Sequence, residues 1–311
     1  MKSLLALLLS ACAATAVPTT TPPSQAPPAF WERWGDGRAE LATYRLQMPR
    51  YGEVRAGEAV LITVTEDFDP AQAVKADRPR AGVTPALKLN EVRDFPTGLY
   101  DYNGLTTVLL PLGGAAPLGV PLKVSFSLQE WCGHVYEQLV WRDDQLEHTL
   151  HSYFDGEADR QDRLPVPVAG LVEDAMPLLV RGLVGELLAP GERREVPWLR
   201  SRLRDRLDHR PAAWGRAIVQ LSASTEQVSV PAGEFLVRTF TADTGDRQLS
   251  WQVEQGGDRR LIAWSHSDGE RGELLHSQRT PYWTQHGVAD EPRRVEAGLP
   301  ARTWPEPPPG R

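Results

Sequence analysis

The chain has 311 residues, 41% hydrophobic content and ten tryptophans, enough apolar material for at least one full core without metal or disulfide staples. Its net charge of -7 comes from 34 basic and 41 acidic residues, and no basic run is dense enough to track a phosphate backbone, which excludes nucleic acid as the expected partner. The densest charged run, Arg200 to Arg210, mixes arginine with aspartate and is expected to form a solvated face.

The N-terminus has the layout of an export signal: Lys2, the apolar run Leu4 to Leu9, then small residues. That run is too short to span a bilayer, which takes about 20 residues. Its end, Leu9-Ser10-Ala11-Cys12, resembles the lipobox of bacterial lipoproteins, which implies removal of residues 1–11 and lipidation of Cys12. Each buried methylene of such an anchor contributes on the order of 0.8 kcal/mol, so several acyl chains hold a domain at a membrane without a transmembrane helix. Residues 12–29 are rich in proline, threonine and serine and read as a solvated tether.

From residue 30 to 289 the pattern is mostly strand. Phe30 to Trp34 is expected to open the domain as a short helix, and Glu58 to Thr65 is a β-branched run between turn signals. Leu122, Val124, Phe126 and Leu128 alternate with polar residues; Val135 to Trp141 and Leu146 to Tyr153 follow after short turns, an antiparallel meander. Apolar residues from Val172 to Leu187 recur at spacings of three and four, predicting an amphipathic helix that plugs or covers the sheet and ends near Pro190-Gly191. Five further strands are expected between Ala217 and Ser265 and one over Glu270 to Ser277. The fold class is therefore α+β, mainly β: a large curved antiparallel sheet, open or half-barrel, with few helices. Possible halves are 30–165 and 170–289, and residues 290–311 read as a loosely packed, proline-rich tail.

Three clusters are candidates for chemistry. On an unbroken strand Glu130, Cys132 and His134 share a face, where they could ligate zinc or let His134 activate the Cys132 thiol. Strand spacing puts neighbours nearly 7 Å apart, so a direct Cys–His contact needs a bulge at Gly133. With Cys12 committed to lipid, Cys132 has no intramolecular partner, and a packed structural cysteine is the competing reading. His148 and His151 fall on opposite faces of their strand, with one of them able to lie across a hairpin from His134. Asp155, Glu157 and Asp159 form an acidic loop with oxygen donors for calcium but without the EF-hand spacing, so a solvated loop competes there. The chain carries no G-x-S-x-G, P-loop, H-E-x-x-H or Rossmann glycine pattern, and no cofactor is expected.

The stretches FWERWGDGRAEL, RYGEVRAGEAVLITVTEDF, QEWCGHVYEQL and VSVPAGEFLV together resemble a family of bacterial exported proteins often labelled septum formation inhibitor Maf. That label belongs to compact cytosolic α/β nucleotide pyrophosphatases, which neither the export signal nor the antiparallel pattern fits, so the resemblance implies export and no particular activity. Val230-Pro231-Ala232-Gly233-Glu234-Phe235 is also similar to a turn of envelope proteins with lipoprotein-carrier-like folds, in which a curved sheet encloses an apolar cavity. Gly233 has a physical reason of its own, a turn after proline that needs positive φ. The expectation is a lipid-anchored envelope protein, facing the periplasm or cell surface, that binds an apolar ligand or an envelope protein partner in its sheet; the alternative is a Cys/His enzyme or metal protein built on Glu130, Cys132 and His134.

Overall fold

A computed structural model describes residues 26–113 and 120–301; Cys12, most of the tether and residues 302–311 lie outside them. A short helix, α1 (Pro28–Trp34), starts with proline in its first turn and buries Phe30 and Trp34. The strands follow: β1 (Ala39–Arg50), β2 (Glu53–Asp69), β3 (Val74–Lys75), β4 (Thr84–Pro96), β5 (Asp101–Pro111), β6 (Lys123–Glu130), β7 (Gly133–Arg142), β8 (Gln145–Ser152) and β9 (Arg160–Pro165). After them come β10 (Leu171–Val172), a 3-10 turn (Glu173–Ala175), α2 (Met176–Leu179), β11 (Arg193–Leu199) and α3 (Arg202–Leu207). The second run comprises β12 (Trp214–Leu221), β13 (Glu226–Val230), β14 (Gly233–Asp243), β15 (Gln248–Glu254), β16 (Leu261–His266) and β17 (Arg271–Thr280), closed by α4 (Arg293–Glu296).

All 17 strands belong to one open, curved sheet. Strands β4 to β9 form consecutive antiparallel hairpins, as do β14 to β17. The two runs join at β1, which pairs with β2 on one side and β17 on the other, Ala39 opposite Thr280. Among the described residues only β10 and β11 pair in parallel. Both sequence halves therefore contribute to one ladder. The V-P-A-G turn is a tight link between β13 and β14, and Gly233 has φ 132°, a conformation that side chains resist.

The core lies on the concave face. Val124, Phe126 and Leu128 on β6 oppose the buried row of β7, and Val108 and Leu110 of β5 continue it. Into this concavity sits the 171–190 segment: Val172, Ala175, Met176, Leu178 and Leu179 are at most 2% exposed and pack in the same apolar cluster as residues of both strand runs. The expected plug is present, but the expected long helix is not. Helix stops at Leu179 because Gly182 turns to φ 62°, where an added Cβ would meet Glu186 and Arg259 at 2.7 and 2.8 Å. The apolar spacing there reflects a chain buried on several sides rather than one helical stripe.

One other expectation fails. The Arg200–Arg210 run is not a solvated face: Arg202, Asp205 and Arg206 are 1%, 4% and 8% exposed, because α3 turns them into the concavity. Residues 290–301 of the tail are mostly exposed, fastened at Ala297, which is buried and whose carbonyl accepts from Thr43 Oγ1 at 2.7 Å.

Antiparallel hairpins put alternate connections at opposite ends of the sheet. At one rim lie the β1–β2, β4–β5, β6–β7 and β8–β9 turns, carrying Tyr51, Leu99, Trp131 and Tyr153, at 58%, 82%, 73% and 71% exposure. The chain enters at the other rim, where the Ala26 amide donates to the Leu112 carbonyl. Between Tyr102 and Pro111 the two rims stand roughly 30 Å apart at strand rise.

Candidate functional site

The opening cluster does not share a strand face. Glu130 ends β6 and Gly133 begins β7, paired to each other, so Trp131 and Cys132 form the two-residue turn of a hairpin. His134 pairs with Gln129 on the outward face, whereas Glu130 continues the inward row of Leu128, which places the carboxylate and imidazole on opposite sides. Cys132 is exposed rather than packed. The Glu130 carboxylate accepts the Cys132 amide hydrogen at 2.7 Å, and by hydrogen bonding and charge it pushes the thiol above its usual pKa. That is the opposite of nucleophile activation. Nor does a second histidine face His134, since the Tyr153 amide donates to its carbonyl and His151 pairs with Tyr136.

His148 and His151 do fall on opposite faces. His148 is 4% exposed with Nε2 2.7 Å from Glu137, while His151 lies outside, 2.8 Å from Asp159. Glu157 accepts from Ser152 Oγ at 2.9 Å and from Arg206 at 3.2 Å, and lies 2.6 Å from His209 Nδ1. Asp155 is exposed. Glu157 and Asp159 are engaged by different partners, and no group of three or more that could hold a metal occurs among the described residues. Cys12 lies outside those residues.

What the sequence reading missed is a charged interior. Glu270 accepts from Arg93 at 2.7 Å and from the Trp264 indole at 2.9 Å; Glu91 accepts from Arg93 at 2.7 Å. Arg247 donates to Glu173 at 2.9 Å and to Asp268 at 3.0 Å, and Glu173 also accepts from Trp198 at 3.1 Å. Deeper, Arg202 donates to Glu137 at 3.1 Å and Asp205 at 2.5 Å, and its amide donates to Asp174 at 3.0 Å. Burial opposes ionisation of Glu270, but Arg93, His266 and Arg247 outweigh it and hold the carboxyl well below the usual range. Asp174 shows the reverse balance: burial outweighs Arg202 and pushes its pKa up to about 7, and Asp205 is pushed by burial to about 6.

The cavity among Glu91, Arg93, Asp174, Arg247, His266 and Glu270 measures ≈ 30 Å³, room for about two waters. It is too small for a substrate, so the network acts as a staple between the plug, α3 and both strand runs. A signal existed in the sequence. Glu91 and Arg93 interrupt an apolar row between Leu89 and Phe95, and Glu137 interrupts one between Val135 and Leu139.

The space of ligand size lies elsewhere. A half-open groove of ≈ 520 Å³ runs between the 180–194 segment and the ends of β12, β14 and β15, within the 300–1,000 Å³ typical of small-molecule sites. Its apolar lining includes Val180, Leu187, Leu188, Leu221 and Val253. Its charged lining is mostly paired: Arg259 with Glu186 and Arg194 with Glu192, each at 2.5 Å. Arg238 also lines it, and its Nε is buried without a hydrogen-bond acceptor.

Fold and sites together define a mainly β, α+β protein: one open curved antiparallel sheet whose concavity is stapled by buried ion pairs and bordered by a groove of mixed apolar and charged lining. No family model matches the chain, and no curated protein matches it. Among solved structures it is similar to a β-barrel-like protein of the domain of unknown function DUF1849 from Brucella abortus. The identity is 12% and the TM-score 0.43, over 78% of this chain and 97% of that one.

Proposed function

We propose that this chain is a lipid-anchored protein of the bacterial cell envelope, exported and tethered through Cys12, that binds an apolar ligand at its curved sheet without catalysing a reaction. The observation that carries the binding reading is the ≈ 520 Å³ groove, with Val180, Leu187, Leu188, Leu221 and Val253 on its wall. Of these, Leu187 and Leu221 are half-buried, and a ligand that removes their remaining surface from water gains about 25 cal/mol per Å². The likeness of Val230–Phe235 to lipoprotein-carrier-like envelope proteins points the same way. The test is a polarity-sensitive apolar dye: the native protein brightens it saturably, and Ala189→Trp, which fills the groove from an exposed position, abolishes the signal at unchanged melting temperature. Equal dye binding by both proteins removes the groove from the reading.

A second reading, an envelope protein as partner, is favoured by the exposed Tyr51, Leu99, Trp131 and Tyr153 at the turn rim. Aromatic side chains of this kind anchor interfaces. A photo-crosslinker at Trp131 is expected to trap an envelope protein, and one in the groove is not; the reverse result rejects this surface.

A further inference from the structure

We infer that the groove ligand is a single-chain amphiphile with a monoanionic carboxylate head, an ionised fatty acid, whose head is bound by Arg238; this rests on the groove reading above. The placement of Arg238 carries it. Along the core-facing row of β14, Ala242 and Phe240 are 1% and 2% exposed and oppose Leu249 and Trp251 of β15. The next position of that row is Arg238, opposite the buried Val253. Below Phe240 the core position passes to Val237, 0% exposed, and Arg238 stands half-buried on the groove wall.

The other inward arginines meet carboxylates: Arg93, Arg202 and Arg247 each do so at 3.1 Å or less. Arg238 forms no ion pair among the described residues, and its Nε lies buried with no acceptor. The guanidinium is half-buried, so it faces the groove with its charge unmatched and its donors available to an anion. A guanidinium presents its donors as a planar fork that matches a carboxylate.

The surroundings set the rest of the ligand. The wall beyond Arg238 is the apolar strip of Val180, Leu187, Leu188 and Leu221, which suits an alkyl chain. Glu186 and Glu192 also line the groove, each paired to its own arginine. One unpaired positive charge between two neutralised pairs matches one negative charge, and a dianionic phosphate head would meet those two carboxylates as well.

The experiment measures displacement of a neutral apolar dye from the full chain by laurate, dodecanol and dodecyl phosphate. The native protein is expected to bind laurate more tightly than dodecanol by about tenfold or more, the worth of one charge-assisted pair. Arg238→Met removes that preference by weakening laurate while dodecanol binding stays, and Arg238→Lys keeps part of it. The ligand-free Arg238→Met protein melts at the same or a higher temperature, since it loses an unpaired charge; a marked fall means the guanidinium has a partner in the free protein and overturns the assignment. Equal affinity for laurate and dodecanol in the native protein overturns the anionic head and leaves the apolar groove standing. Tighter binding of dodecyl phosphate than of laurate overturns the carboxylate. Binding of none of the three sinks the groove reading itself.

Discussion

Arg181 and Glu40, far apart in the chain, face each other as two forks: Nη1 donates to Oε1 at 2.8 Å and Nη2 to Oε2 at 2.9 Å. Both are buried. Arg181 also donates to the carbonyls of Arg259 and Asp258, so one side chain ties the plug, the start of β1 and the β15–β16 turn together. Replacing Arg181 by methionine strands the Glu40 carboxylate and is expected to cost about 3–5 kcal/mol in urea denaturation. The double variant Glu40→Leu/Arg181→Met is expected to recover most of that loss, because it removes the orphaned charge along with its partner.

Asp174 and Asp205 give the fold a pH dependence with a definite sign. Their folded pKa values are raised, to about 7 and about 6, above the ordinary value of 3.8. Between those limits the folded state binds more protons than the unfolded one, so stability falls as pH rises from about 4 to 7, by as much as about 1.4 kcal/mol per pH unit per group. Denaturation at pH 5 and pH 8 is expected to show the protein more stable at pH 5. Asp174→Asn, which keeps an oxygen for the Arg202 amide, is expected to be the more stable protein at pH 8 and to lose that advantage at pH 5. Below that window Glu137 and Glu270, held low by their arginines, become protonated and stability is lost again.

The Cys132 thiol is predicted to react with a maleimide or aromatic disulfide in the folded protein, without denaturant, because it stands in an exposed turn. Glu130 slows it by raising its pKa, so Glu130→Gln is expected to label several-fold faster at pH 7.5. Cys132→Ser is expected to leave stability within about 0.5 kcal/mol of the native protein, as for a surface position.

For the proposed anchor, full-length protein is expected in the membrane fraction and Cys12→Ser in the aqueous fraction of the same cells, read by immunoblot. Identical fractionation of the two would reject the lipid attachment.

The alternation of Leu122 to Leu128 and of the strands after it made the meander legible, because one face packs and the other does not. A short turn between Leu128 and Val135 was legible, but its place was not: Trp131 and Cys132 carry no asparagine or glycine turn signal, and Gly133, which looked like a bulge, begins the return strand. The apolar spacing of 172–187 promised a helix since a plug surrounded by sheet is apolar in every direction, a pattern that imitates helical periodicity. The interior ion pairs were hidden by the assumption that charge runs face water. Arg202 and Asp205 satisfy each other at 2.5 Å, and pairing is what lets such residues be buried. The groove and Arg238 depend on which strands end beside the 180–194 segment, and no local pattern records that.

The two rims give the molecule a polarity. Strand β14 leaves its turn at Gly233 and β15 ends at Glu254, so Arg238 and the groove stand toward the end of the sheet at which the chain enters, beside Leu112. The exposed Trp131 and its aromatic neighbours stand at the far end. The groove and the aromatic turns therefore stand at opposite ends of one sheet, so that a molecule held at one leaves the other free.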